Sequence, residues 1–496
     1  MLAPVLALFL AAPDFGEAER LLSEGRFAEA RAAFEALLDD AEGGDRALLL
    51  DRIGSTRLAE GDVWGAEADF GASLDVRETF AARLHRGQAL FFAGRDVADS
   101  PGALAAEVGA LMNDAARELA RAVEMGPETG PDRAEALVYL GLVERYRGAA
   151  EREEENHRRA LEAEPGRGDA ALYLAWCLET RGEAGGAEAV LETVPESARG
   201  GGHWLALGRL ARTAGDDGRA RDRFRRALLI APFDVNAYLG LWSVSGRQKR
   251  FRDFENAVGE VLGRDPGCWL AHYYLGVCLR EAGRPRQAIE ALSEAWRLNA
   301  DDADSRLLMA DILHRDLSDE AASLPVYLEV MDRWPELARP REVLATVAMG
   351  AAGRKDFAVA RKILYALRVA QPSEWAYATN LALVEREAGN VEEALRIYRE
   401  AEEQYPLEPQ IPNDRGLLLM GLGRQDEALA AFHLALERDG DCLEALENLG
   451  SYTLLGGDAA GAIPWFRRAY ERARVTGGDV AKFRRYLDDA SRAAER

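Results

Sequence analysis

The sequence predicts an all-α fold of about thirteen stacked helix-turn-helix repeats, and two observations predict it. The first is residues 202–232, where apolar and small side chains recur at spacings of three and four along two successive segments, which indicates two short helices. Gly215 and Gly218 interrupt the pattern between the segments, and Pro232 ends it. The second observation is that the pattern returns. Four alanines in the second-helix position follow one another at intervals of 34 residues, namely Ala360, Ala394, Ala428 and Ala462.

The small and bulky positions of each repeat have different packing roles. Gly208 and Ala220 are small enough for the two helices of a pair to cross closely, and Phe224 is large enough to fill the gap to the next pair. We therefore expect these residues to form the core. A single helix pair of this size cannot bury its apolar face alone, so each copy needs neighbours.

These residues give the chain a resemblance to a known family. The stretch resembles the tetratricopeptide repeat, which carries Trp-x2-Leu-Gly-x2-Tyr, Ala-x3-Phe and Pro in a 34-residue unit. The matching residues are Trp204, Leu207, Gly208, Ala211 in the Tyr position, Ala220, Phe224, Ala227 and Pro232. The resemblance implies a right-handed superhelical solenoid whose first helices line a concave groove, and a scaffold or adaptor that holds a segment of a partner protein there.

Composition restricts the classes of partner. The formal net charge of −23 argues against nucleic acid and anionic membranes as partners, because both need a basic surface. The four cysteines, Cys177, Cys268, Cys278 and Cys442, have no ligand or framework spacing, and we expect buried free thiols. The six histidines show no metal-ligand spacing, and no phosphate-binding loop or nucleophile elbow occurs. We therefore expect no enzyme, no cofactor, no metal and no small-molecule substrate.

The pattern divides the chain into three parts. Residues 1–13 are apolar and uncharged up to residue 12, and we interpret them as a possible signal peptide or an apolar strip. This favours an exported or periplasmic location and leaves the cytoplasm as the alternative. Residues 14–476 form the repeat array, with an insertion at about 96–112 in repeat three, and residues 477–496 form a capping helix.

Two repeats depart from the 34-residue pattern of small and bulky positions. In repeat four, Glu153 occupies the position of the small residue, so its second helix is the most degenerate. Repeat nine, which carries Tyr327 in the bulky position, is one residue longer than the rule.

The phase of the pattern predicts which residues line the groove, since spacings of three and four keep each trio on one helical face. The groove positions are Val138, Leu142 and Arg145; Leu172, Trp176 and Glu179; Leu205, Arg209 and Arg212; Tyr273, Val277 and Arg280; Leu307, Asp311 and His314; and Thr379, Leu383 and Arg386. From these we take Arg145, Trp176, Arg209, Arg212, Tyr273, Arg280 and Arg386 as the candidate partner-binding residues.

Two interpretations of the arginines remain open. As a stripe they would bind the carboxylates of an acidic peptide, with Trp176 and Tyr273 as flat apolar anchors. Alternatively, each arginine pairs with a neighbouring glutamate, such as Glu281 or Glu387, and is ordinary surface. An alternative function is a structural or docking subunit of a bacterial cell-envelope or export assembly, which would use the convex face.

Overall fold

A computed structural model describes residues 14–102, 104–246 and 248–496 of the chain. Residues 1–13, which include the predicted signal peptide or apolar strip, lie outside the described residues. The described residues form 27 α-helices and contain no β-strand, which confirms the predicted all-α class. Apart from the last, the helices follow one another as thirteen pairs, in agreement with the predicted number of repeats.

The chain divides into two compact units, Met1–Tyr274 and Leu275–Arg496, with the boundary inside α15. The helices up to the boundary are α1 (Phe15–Ser23), α2 (Phe27–Leu38), α3 (Gly43–Glu60), α4 (Val63–Val76), α5 (Phe80–Ala98), α6 (Ala105–Met125), α7 (Pro131–Tyr146), α8 (Ala150–Ala163), α9 (Gly168–Thr180), α10 (Ala184–Thr193), α11 (Gly201–Thr213), α12 (Asp217–Ile230), α13 (Val235–Ser245), α14 (Phe251–Arg264) and α15 (Trp269–Glu281).

The second unit contains the remaining helices. They are α16 (Pro285–Leu298), α17 (Ala303–Asp311), α18 (Glu320–Arg333), α19 (Ala338–Gly353), α20 (Phe357–Ala370), α21 (Ala376–Glu387), α22 (Val391–Gln404), α23 (Gln410–Gly421), α24 (Gln425–Arg438), α25 (Leu443–Leu455), α26 (Ala459–Thr476) and α27 (Val480–Ala494).

The predicted packing roles are confirmed in the pair α11 and α12. Ala220 and Phe224 are fully buried, and a Cβ added at Gly208 would lie only 2.6 Å from the Phe224 ring. The helices can therefore approach this closely only because residue 208 has no side chain. Gly215, in the turn between them, has φ +79°, a left-handed conformation that glycine adopts without strain.

The 96–112 insertion lengthens a helix pair. The first helix, α5, runs to Ala98, and the second, α6, begins at Ala105 and extends over 21 residues. Met112, inside the insertion, is almost completely buried and touches the position of Gly94 on α5. Much of the insertion is therefore packed helix.

The extra residue of repeat nine lies in a π-helical turn. α17 is followed directly by a π-helix at Ile312–Asp316, in which hydrogen bonds span one residue more than in an α-helix. Below this turn, the Tyr327 hydroxyl donates a hydrogen bond of 2.6 Å to the buried carboxylate of Asp311. Pro325 is tolerated inside α18.

The last helix, α27, packs against α26. Phe483 and Ala490 of α27 are buried, and the rings of Phe466 and Tyr486 lie 5.3 Å apart. The opposite side of α27 is polar and exposed, an arrangement that suits the end of a repeat array.

Candidate protein-interaction face

The first helices of repeats three to seven share a surface in the first unit, which we call the first-helix face. It is formed by α5, α7, α9, α11 and α13, each next to the following one. Side-chain contacts continue across it from α7 to α13. The Arg145 guanidinium lies 3.9 Å from the Trp176 ring, Arg209 pairs with Glu179 at 2.6 Å, and Arg212 donates a hydrogen bond of 3.2 Å to the Ser243 hydroxyl.

At one end of this face, aromatic rings surround an open hollow of about 480 Å³. We call it the aromatic hollow; its lining residues are Phe91, Phe92 and Arg95 of α5, Tyr139, Leu142, Arg145 and Tyr146 of α7, and Tyr173 of α9. The Phe91 ring meets the Tyr139 and Tyr146 rings edge to face, with centroids 5.9 and 5.8 Å apart. Tyr146 is 47% exposed, so part of this aromatic surface faces solvent.

A buried polar cluster beneath the hollow fixes Arg145. Its Nε donates a hydrogen bond of 2.7 Å to Glu153 on α8, and Glu153 is only 3% exposed. This anchored guanidinium lies over the Trp176 ring, which is itself 43% exposed. The irregular Glu153 of repeat four therefore positions a predicted binding residue.

His157 completes this cluster. The ring is fully buried, stacks on Tyr173 at 5.2 Å, and neither ring nitrogen has a hydrogen-bond partner among the described residues. Burial, and secondarily the positive charge of Arg145, lower the pKa of His157 to about 4. The imidazole is therefore neutral at pH 7.

A second hollow, of about 520 Å³, lies further along the face between α11 and α13. Arg209 and Arg212 line it together with Leu205, Leu239 and Trp242. Leu239 is 50% exposed and provides an apolar side chain beside the two arginines. The structure thus brings together Arg209 and Arg212, and separately Arg145 and Trp176.

The other candidate residues lie elsewhere. Tyr273 packs edge to face on Tyr274 at 5.1 Å. Arg280 and Arg386 belong to the second unit, where Arg280 pairs with Asp316 at 2.7 Å and Arg386 with Glu387 at 2.7 Å. Arg386 therefore pairs with the neighbouring Glu387, as the second interpretation of the arginines expects. Arg280 is also paired, but with Asp316 instead of Glu281.

The predicted phase was wrong at three groove positions. Val138, Asp311 and Thr379 are buried, so their side chains do not face a groove. At Val138 the error is one residue, since Tyr139 lines the hollow instead. Phe91, Phe92, Tyr146 and Tyr173 were also missed; the available signal was the recurrence of aromatic residues in the first helices of three successive repeats.

Within residues 14–102, 104–246 and 248–496, no three histidine, cysteine or acidic side chains are arranged to hold a metal ion. No helix in these ranges has both the length and the apolar character needed to cross a bilayer. All four cysteines are buried and none of them forms a disulfide, as predicted.

Helix pairs stacked through small and bulky core positions define an α-solenoid protein. The chain belongs to the tetratricopeptide repeat family. Two family models described as tetratricopeptide repeat match it, one at residues 348–409 and 413–475 and the other at residues 144–210 and 247–312, together about half of the chain. No curated protein matches the sequence.

Several solved structures are similar in fold. The Cut9 and Hcn1 hetero-tetramer of the APC/C is 12% identical over 95% of this chain and 95% of that chain, with a TM-score of 0.32. PilF from Pseudomonas aeruginosa is 16% identical over 44% of this chain and 91% of its own, with a TM-score of 0.37. YrrB, described as having an unusual peptide-binding site, is 18% identical over 39% of this chain and 98% of its own, with a TM-score of 0.28.

Proposed function

We propose that the chain is a scaffold without catalytic activity of its own, which holds a segment of a partner protein along the first-helix face. The observation that supports this is a set of exposed apolar side chains on three first helices of this face, namely Tyr146 on α7, Trp176 on α9 and Leu239 on α13. Large, partly exposed side chains such as these supply contact area at low entropic cost.

The arginines beside these side chains favour an acidic segment. Arg212 binds only a neutral hydroxyl among the described residues, so its charge is available to a carboxylate. Arg209 pairs with Glu179, but the two side chains are 40% and 32% exposed, and such a surface pair is weak enough for a ligand carboxylate to replace.

Photo-crosslinking tests which face binds. Benzoylphenylalanine is placed at Leu239 on the first-helix face or at Ile230 on the second helix α12, two positions with 50% and 51% exposure. We expect irradiation in lysate and envelope fractions of the native organism to give a discrete adduct from position 239 and none from position 230. An adduct from position 230 alone would contradict the proposal and favour docking through the opposite face.

The acidic character of the partner is tested separately. Replacing Arg209 and Arg212 by glutamate should weaken the position-239 adduct without changing helicity, because the new carboxylates repel an acidic segment. Arg219→Glu, on the second helix α12, is the control, since Arg219 also pairs with a glutamate at 2.8 Å. An adduct of equal yield in the double variant would show that the two arginines do not take part.

The apolar, uncharged residues 1–12 favour a second candidate function, a docking subunit of a cell-envelope or export assembly. In that case the first 13 residues would be removed on export. N-terminal sequencing of the protein purified from its native organism tests this, and an unprocessed Met1 in an envelope-free fraction would contradict it.

A further inference from the structure

We propose that the aromatic hollow binds an extended, proline-containing acidic segment of a partner protein, with prolines on the rings and a carboxylate on Arg95. This inference rests on the proposed function, because the aromatic hollow is one end of the first-helix face. Three features of the hollow support it: the angles between its rings, the charge at its rim and the spacing of the helices that form it.

The ring angles favour a small, rigid apolar group. The Phe91 and Tyr139 planes meet at 73° and the Phe91 and Tyr146 planes at 80°. The rings of each pair are in edge-to-face contact, so they form a right-angled notch in the surface, with the almost completely buried Phe91 at its floor and the exposed Tyr146 at its rim. A proline ring fits such a notch, and aromatic-lined grooves are a known mode of proline recognition.

The charge at the rim favours an acid. Arg95 lines the hollow, is exposed, and has no ion-pair partner among the residues that the structure describes. The other arginine, Arg145, is already neutralised by Glu153. Of the two arginines that line the hollow, Arg95 is therefore the one without a paired carboxylate, in a protein whose net charge is −23. This charge also argues against a cationic ligand, which bare aromatic rings would otherwise attract.

The helix spacing fits an extended ligand. The lining rings come from α5, α7 and α9, which are successive first helices. Packed helices lie about 8–10 Å apart. A polyproline II segment advances about 3.1 Å per residue with three residues per turn, so one turn spans about 9 Å. Every third residue of such a ligand can therefore meet the same position on the next helix.

The hollow continues toward the 96–112 insertion. On the other side of Tyr146 lies a second depression, lined by Ala98, Ala105, Val108, Met112 and Asn113 from the lengthened ends of α5 and α6. Tyr146 is common to both, so a segment lying on the rings can extend past Tyr146 onto the insertion. This gives the insertion a role in the length of ligand that the face can hold.

Binding of defined probes to the full chain tests the proposal. The probes are fluorescein-labelled peptides of four triplets: Pro-Glu-Gly, the ring-deleted Ala-Glu-Gly, and the charge-reversed Pro-Lys-Gly, with a twelve-nucleotide oligouridylate as a fourth. We expect the Pro-Glu-Gly peptide to bind in fluorescence anisotropy, at least tenfold more tightly than the other three. Equal affinity for the Ala-Glu-Gly or Pro-Lys-Gly peptide would overturn the proposal. Tighter binding of the oligouridylate would do so as well, since rings with arginine can also stack bases.

Substitutions inside and outside the aromatic hollow test where on the chain the peptide binds. Tyr146→Ser and Arg95→Glu should each lower the affinity of the chain for the Pro-Glu-Gly peptide at least tenfold. Tyr365→Ser and Arg252→Glu are the matched controls, because both residues are exposed and lie outside the hollow, and they should leave the affinity unchanged. Circular dichroism checks that helicity is retained. Equal loss in the controls would overturn the assignment to this hollow.

The scaffold function and the ligand of the aromatic hollow can be contradicted independently of each other. If the Pro-Glu-Gly peptide does not bind at millimolar concentration while position 239 still gives its discrete adduct, this inference is wrong and the scaffold function stands.

Discussion

The second helices of repeats four and six, α8 and α12, have the same backbone role but opposite core chemistry. In α12 the small and bulky positions are Ala220 and Phe224, and in α8 the same positions are Glu153 and His157; all four are buried. The helices of the two pairs nevertheless approach each other equally closely. A Cβ added at Gly208 would lie 2.6 Å from Phe224, and one added at Gly141 would lie 2.5 Å from His157.

The difference shows how an internal position can serve a surface site. A buried glutamate is unfavourable unless it is paired, and Glu153 is paired with Arg145 at the edge of the aromatic hollow. The apolar pair in α12 has no charge that could hold a surface arginine. The polar pair in α8 holds one guanidinium over Trp176. Four variants test this comparison.

The largest effect is expected when a buried glutamate like that of α8 is introduced into α12 without a partner arginine. Arg212 stands at the position equivalent to Arg145, so Ala220→Glu is made together with Arg212→Ala. The buried carboxylate then has no arginine partner, and we expect the free energy of unfolding to fall by at least about 3 kcal/mol relative to Arg212→Ala alone. Denaturant unfolding, with hydrogen exchange of α11 and α12, measures it. Gly218→Glu adds the same charge on the exposed side of α12 and should have little effect. If both variants lose the same free energy of unfolding, a charge is no less favourable at the buried position 220 than at the exposed position 218.

Of the two bulky core positions, Phe224 and His157, only His157 can take up a proton. The folded-state pKa of His157 is about 4, below its ordinary value of 6.5, so the unfolded chain takes up the proton first. Stability therefore falls as the pH drops from 6.5 toward 4, by up to about 3 kcal/mol. His157→Phe, which copies Phe224, should remove this part of the pH dependence, as measured by hydrogen exchange of α7 and α8. The exposed His433→Phe is the control, and an unchanged pH profile in His157→Phe would contradict the assignment.

Neutralising Glu153 should have a smaller effect. Glu153→Gln keeps the shape but removes the charge that holds Arg145, and because Arg145 is partly exposed it can turn to water; we expect a loss of about 1–2 kcal/mol. Glu155→Gln, on the exposed side of the same helix, provides the baseline. A loss no greater than this baseline would show that the pair contributes nothing to stability.

The smallest effect is expected at Cys177, which lies near Glu153 in the same cluster. Burial, and secondarily the charge of Glu153, raise the pKa of the Cys177 thiol to about 12, so it remains neutral. The equivalent residue in α13 is Val244, also buried. Because a thiol is a weak hydrogen-bond donor, Cys177→Val should change the free energy of unfolding by less than about 1 kcal/mol. A larger loss in thermal or denaturant unfolding would indicate a stronger bond to Glu153.

Much of the fold could be predicted because its signals are local. Glycine turns and prolines delimited α11 and α12, and the alternation of small and bulky residues indicated which side chains are buried. The site could be predicted only in part, because its contacts join different repeats. The partner of Arg209 is Glu179 and that of Arg280 is Asp316, each at least 30 residues away. The aromatic hollow was missed because a shift of one residue decides whether Val138 or Tyr139 points outward, and periodicity does not fix phase that finely.

The π-helical turn at Ile312–Asp316 has a consequence for how such a chain can change in length. One additional residue at the end of a first helix is taken up by a wider turn; the next small position, Ala360, follows Ser323 after 37 residues, and the spacing of 34 then holds for Ala360, Ala394, Ala428 and Ala462. Insertions of this kind are therefore tolerated locally, and an array can diverge one residue at a time while every later repeat keeps its register.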